Sequence, residues 1–127
     1  LTSLVGSEMC IRDSLIPMTR GMHSTIYGRL RDPGLTSSDC QILLDNFYRN
    51  HSNIKVLPVD IYPSTKWVKN TNEIHLSVKV DNRNGRIIIL SAIDNLIKGQ
   101  TGQAIQNLNL ISDLPLDDGL QMVNHYP

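Results

Sequence analysis

The chain is 127 residues long, enough for one domain with a substantial core and short for two. Twelve Lys plus Arg balance twelve Asp plus Glu, and the zero net charge removes the electrostatic footing for nucleic acid or an anionic membrane. The longest nearly apolar run, residues 87–93, is far below the ~20 residues of a spanning helix, and two cysteines make neither a disulfide framework nor a four-ligand zinc site.

Residues 1–14 (LTSLVGSEMCIRDS) have neither the basic start nor the apolar run of a secretory signal. Within them VGSEMCIRDS resembles the translation of a sequencing-adapter read-through, so residues 1–14 are expected to be a non-native leader; the alternative is an ordinary N-terminal strand and loop. Residues 15–30, rich in Ile, Thr and Tyr with Gly21 and Gly28 inside, predict a long strand with a bend. Asp32-Pro33-Gly34 is a turn signal. Ser38 and Gln41 fit a capping box, and Cys40, Leu43, Leu44, Phe47 and Tyr48 then mark one face of an amphipathic helix ending near His51.

A short strand is predicted over 54–59 and a long loop over 60–72. Ile74, Leu76, Val78 and Val80 alternate with polar residues, the period of a half-buried strand. Asn84-Gly85 predicts a tight turn, and 86–92 returns as a strand, making an antiparallel hairpin. Ala104, Ile105, Leu108 and Ile111 describe a last helix, entered through Gly99-Gln100-Thr101-Gly102, and 114–127 is a polar tail. Together these elements predict an α+β fold, a mostly antiparallel sheet with helices on one face.

Most residues able to do chemistry have a plain structural explanation. Cys40 lies on the apolar helix stripe and reads as core, and a catalytic thiol would need exposure and a lowered pKa. His23, His51, His75 and His125 are scattered, without an i, i+4 pair, so no metal site is expected. The window 94–103 (DNLIKGQTGQ) is the most informative. It follows a buried strand and opens a helix, where free N–H groups suit a phosphate; a small-residue packing face is the alternative. Arg20, beside Gly21, could fork onto a carboxylate or phosphate, or simply be ion-paired.

Four phrases together resemble the N-acetyl-gamma-glutamyl-phosphate reductase family of arginine biosynthesis. They are LIPMTRGMHSTIY (15–27), LP followed by PSTKWVKNTN (57–72), VDNRNGRIIILSAIDNLIKGQTGQAIQNLNL (80–110) and LPLDDGL (114–120). The resemblance covers residues 15–127. It implies an NADP-dependent oxidoreductase, cytoplasmic and homo-oligomeric, that converts an acyl phosphate to a semialdehyde through a cysteine thioester reduced by hydride. It further implies a Rossmann NADP-binding domain followed by a glyceraldehyde-3-phosphate-dehydrogenase-like domain. This chain would be the C-terminal part of the second: 15–94 a partial substrate and dimerisation domain, and 95–127 a helix and tail packing back toward the missing NADP-binding domain.

The same resemblance implies cofactor contacts at Asn95, Lys98, Gly99 and Gly102, and a substrate contact at Arg20. It places no catalytic residue in the chain, because the nucleophilic cysteine, the base histidine and the glycine-rich nucleotide loop belong upstream, so the chain alone is expected to be inactive. The chain departs from the family pattern at several positions. Asp13-Ser14 stand where Pro-His precedes LIPM, Gln100-Thr101 replace Ala-Ala, Asn84 replaces Thr, and Asn70 replaces a Gly. Asn70 is tolerable because Asn enters the left-handed region more easily than other non-glycine residues. A stand-alone, non-catalytic binding or oligomerisation module, or a fragment of aspartate-semialdehyde dehydrogenase, are the competing expectations.

Overall fold

Backbone pairing of alternating apolar segments organises the chain. The computed structural model describes residues 5–13 and 18–121. They run β1 (Val5–Asp13), β2 (Met22–Leu30), α1 (Ser37–Tyr48), β3 (Ile54–Val56), α2 (Thr65–Val68), β4 (Ile74–Asp81), β5 (Arg86–Ile93), a π-helical turn (Ile97–Thr101) and α3 (Gly102–Ile111). The described strands form one sheet in the order β1-β2-β5-β4-β3. Three neighbouring pairs are antiparallel. The pair β3–β4 is parallel, so the α+β architecture stands, with a mixed sheet. The parallel step follows from the long 57–73 crossover that separates β3 from β4, since strands joined that way need not reverse direction. Val5–Asp13, inside the adapter-like stretch, lies along β2 as the outer strand, with Ile11 opposite Ile26.

The core lies between the sheet and α1. Val78 stands opposite Ile89 and Val80 opposite Ile87. All four are buried with Leu30, Cys40 and Leu44, and Ile26, Leu35, Tyr48 and Val56 close the margins. Of the predicted α1 stripe, Cys40 and Leu44 are buried and Tyr48 is half-buried, whereas Leu43 and Phe47 face outward. A three-residue β3 is too short to cover the wider stripe.

Several local expectations are corrected. The helix cap is Thr36, not Ser38. Asp39 N–H donates to Thr36 Oγ1 at 3.2 Å, and Thr36 N–H donates to Asp39 Oδ2 at 2.9 Å. Thr36–Asp39 completes the reciprocal box, which frees Ser37 to accept from Val80 N–H at 2.9 Å and pin the helix to β4. The strand expected over 15–30 begins at Met22, because Gly21 has φ 106° and turns the chain; residues 14–17 lie outside the described residues. The hairpin loop spans 82–85, since Asp81 pairs with Arg86, and only Gly85 of the Asn-Gly pair has positive φ. The loop expected over 60–72 contains α2, whose cap Ser64 accepts from Lys66 N–H at 3.3 Å. Asn70 takes φ 62°, the left-handed conformation anticipated for it.

Among the described residues no helix is long and apolar enough to cross a membrane.

Candidate functional site

At one end of the sheet three separate segments meet on a single carboxylate. Asp94 follows β5 directly and has no exposed side-chain surface. Its Oδ1 accepts from Leu96 N–H at 2.9 Å and Ile97 N–H at 3.0 Å, while Oδ2 accepts from Asn70 N–H at 2.7 Å. Arg20 Nε donates to both oxygens at 3.0 Å. Burial by itself would raise the Asp94 pKa. The Arg20 hydrogen bond and the three amides outweigh it and hold the carboxyl below its ordinary value.

The neighbouring Asn95 Oδ1 accepts from Gly21 N–H at 2.7 Å, a second tie between the start of β2 and the end of β5. Gly21 has no substitute here, because a Cβ would lie 2.7 Å from Thr65 Cβ. Arg20, Asn70, Asp94 and Asn95 thus form one hydrogen-bonded corner, in which Arg20 and Asp94 lie 74 residues apart.

The glycine window does not present the free helix N-terminus expected from its sequence. Gly99 N–H donates to Asp94 O at 3.0 Å and Thr101 N–H to Leu96 O at 3.1 Å, and Gly102 N–H bonds to Ile97 O. The turn is π-helical, and two of the amides at its start, those of Leu96 and Ile97, are capped by Asp94 itself. An internal carboxylate fills the anion position. The two glycines differ in kind. A Cβ on Gly102 would fall 2.2 Å from Asn72 Oδ1 and 2.8 Å from Ile97 O, so packing demands that glycine. On exposed Gly99 the nearest atoms would be at 3.5 and 3.6 Å, and nothing inside the fold requires it.

Lys98 Nζ donates to Gln106 Oε1 at 2.6 Å, and Gln106 Nε2 donates to Asp117 Oδ1 at 3.1 Å. Ser52 Oγ donates to the other Asp117 oxygen. Burial pushes the Lys98 pKa down, with the Asp117 charge opposing. The ammonium is therefore engaged inward rather than offered free at the surface. Asn72, 4% exposed, has both amide atoms buried without a hydrogen-bond partner among the described residues; it lines a cleft of about 210 Å³ with Ser52, Asn53, Glu73 and Asp117.

Of the expected site residues, the structure brings Arg20 and Asn95 together, sets Gly99 beside them on the surface, and gives Lys98 and Gly102 internal work. Asp94 had no assigned role. Its local capping pattern, Asp before two free amides, was readable, but its pairing with Arg20 across 74 residues was not. Cys40 is fully buried, and burial followed by the Asp39 charge pushes its thiol pKa up, which fits a core residue and not a nucleophile. His75, on what alternation marks as the polar face, is in fact buried at 7% exposure. Its Nε2 lies 3.1 Å from Glu73 Oε2, and its ring centroid is 6.2 Å from that of Trp67. His125 lies outside the described residues. Among those described, no group of three or more His, Cys, Asp or Glu could hold a metal.

The chain that folds into this sheet and corner matches a known domain, the semialdehyde dehydrogenase dimerisation domain. The sequence profile of that domain matches residues 7–95, and the chain belongs to this family. At higher resolution, the chain is similar to the N-acetyl-gamma-glutamyl-phosphate reductases of Prochlorococcus marinus. It is 82% identical over 120 residues to those of strain MIT 9515 and of subsp. pastoris, and 58% identical over 113 residues to that of strain NATL1A. The first two matches cover 94% of this chain and 34% of each relative, so the chain spans about a third of their length. Among solved structures, aspartate semialdehyde dehydrogenase II of Vibrio cholerae, complexed with ASA, shares the fold. The TM-score is 0.61 at 16% identity, over 77% of this chain and 29% of that one.

Proposed function

We propose that the chain is the C-terminal part of an NADPH-dependent N-acetyl-gamma-glutamyl-phosphate reductase, a cytoplasmic enzyme that reduces the acyl phosphate to N-acetylglutamate semialdehyde in arginine biosynthesis. The observation that carries this reading is the 82% identity over 120 residues to reductases of that name.

In this reading Arg20 receives an anionic group of the substrate. The corner built on Asn95 and Gly99 receives the nicotinamide end of the cofactor, which supplies a hydride when bound. The residues fit that group. With Asn95 Oδ1 held by Gly21, its Nδ2 remains to donate to a carboxamide oxygen, and Gly99 leaves open surface beside it. Lys98 and Gly102 act one step back by shaping the turn. Cys40 is buried and does not serve as nucleophile; in this reading the thioester forms on a cysteine of the upstream part.

Two surfaces support the wider assembly. Along α3, Ala104, Leu108 and Ile111 form an exposed apolar stripe, Leu108 at 60% and Ile111 at 82%, suited to docking on the nucleotide-binding domain. On the sheet face opposite α1, Tyr27, Ile88 and Leu90 are only half-covered, which suits a homo-oligomer contact.

The test is to express the full-length coding sequence and the 127-residue chain side by side, following NADPH oxidation with the acyl phosphate. Turnover is expected from the full-length enzyme and none from the chain. A full-length enzyme that leaves NADPH untouched overturns the reading.

A further inference from the structure

Arginine–carboxylate pairs commonly meet end-on, with both terminal nitrogens of the guanidinium spent on the two oxygens. The Arg20–Asp94 pair is different. Nε alone contacts both oxygens, each at 3.0 Å, and neither terminal nitrogen has a hydrogen-bond partner among the described residues. The Arg20 side chain is only 26% exposed, so its head group is held at the surface of the corner and is not free to sweep through solvent. Asp94 in turn cannot shift, because three backbone amides from two different turns grip its carboxylate and it is shut off from water.

We infer that Asp94 is a positioning residue for the reductase: it clamps Arg20 by Nε and thereby presents the two terminal nitrogens as a preset fork for the anionic group of the substrate. This rests on the reductase reading above. The physical advantage is preorganisation. A long flexible side chain that is already immobile loses little further freedom when it binds, so its charged hydrogen bonds register in affinity. Two alternatives were open to the same residues. An Arg20 that merely neutralises a buried carboxylate would be structural, and an Asp94 that merely caps the π-helical turn would not need Arg20 at all.

A double-mutant cycle in the full-length enzyme separates these roles. Asp94→Asn keeps an oxygen for the Leu96 and Ile97 amides but loses the charge that clamps Arg20. The expected result is a rise of about tenfold in KM for the acyl phosphate, the size of a charged hydrogen bond, with kcat and the KM for NADPH within about twofold. In an Arg20→Ala background the same change is expected to add nothing, because the fork it serves is gone. An equal effect of Asp94→Asn in both backgrounds, or an unchanged KM in the single variant, overturns the proposal.

Should Asp94→Asn fail to give folded enzyme, Arg20→Lys carries the test. Lysine keeps a charge beside Asp94 but offers no fork, so KM is expected to rise nearly as far as in Arg20→Ala; a wild-type KM overturns the proposal. Absence of NADPH-dependent reduction by the unsubstituted full-length enzyme would instead sink the reductase reading, which makes the two failures distinguishable.

Discussion

Between α1 and the sheet, the buried side chains are almost all aliphatic: Leu30, Leu44, Val78, Val80, Ile87 and Ile89. Along α3 the arrangement is inverted. Gln106 and Asn109 are buried at 2% and 5% exposure, while Leu108, Leu110 and Ile111 are turned out. Asn109 Nδ2 donates to Leu116 O and Asp118 O, and Gln106 bridges Lys98 and Asp117, so α3 is tied to its own tail by polar groups. The difference teaches that apolar spacing alone does not say which face of a helix is buried. The first region buries its apolar face within the chain, and the second leaves its apolar face exposed among the described residues.

The strongest way to break the first region is Leu44→Ala. With 1% exposure and packed sheet on its inner side, the lost methyl groups leave a cavity, and about 3 kcal/mol of stability should go. Urea unfolding measures it, and a loss under about 1 kcal/mol would show that α1 is not core. At the junction of the regions, Gly102→Ala should cost about 2 kcal/mol, because its Cβ overlaps Asn72 and the Ile97 carbonyl. Gly99→Ala, three residues earlier, should be neutral or stabilise by up to about 0.5 kcal/mol. If both alanines behave alike, the tight approach of Asn72 to the helix is wrong.

A pH titration sharpens the corner that joins the two regions. The Asp94 carboxyl titrates lower in the folded protein than in the unfolded chain. Its contribution is therefore whole above about pH 4, the ordinary carboxylate value, and drains away as pH falls through the depressed one. Asp94→Asn should be less stable than the unsubstituted protein at neutral pH, with the two stability curves converging in acid. Parallel curves would mean that Arg20 and the three amides do not hold the charged form. The smallest effect on folding belongs to the second region. Replacing Leu108 and Ile111 together by Ser should leave unfolding within about 0.5 kcal/mol while reducing self-association in sedimentation. A large loss of stability would put that stripe inside the fold.

Much of the first region was legible because its signals are local. Two-residue alternation over 74–80 specified β4, Asn-Gly marked its return, and a three-four spacing from Cys40 specified α1. The cap moved by two residues, from Ser38 and Gln41 to Thr36 and Asp39, whereas β2 begins at Met22 and not in the stretch before Gly21, and β3 stops at Val56. The site was legible in part. Arg20, Asn95 and Gly99 do gather at one corner, but the free helix end expected from Gly99 and Gly102 does not exist, since Asp94 fills it.

The sequence by itself determined the longer helices and strands, the α+β class and the kinship of the chain, because periodicity, turn chemistry and a long signature phrase are written along the backbone. Tertiary structure alone decided that β3 runs parallel to β4, that α3 buries its amides and shows its leucines, and that Arg20 meets Asp94. Those outcomes depend on groups far apart in the chain. A buried polar atom takes whichever partner the packed fold brings within hydrogen-bonding distance, and no local pattern names that partner.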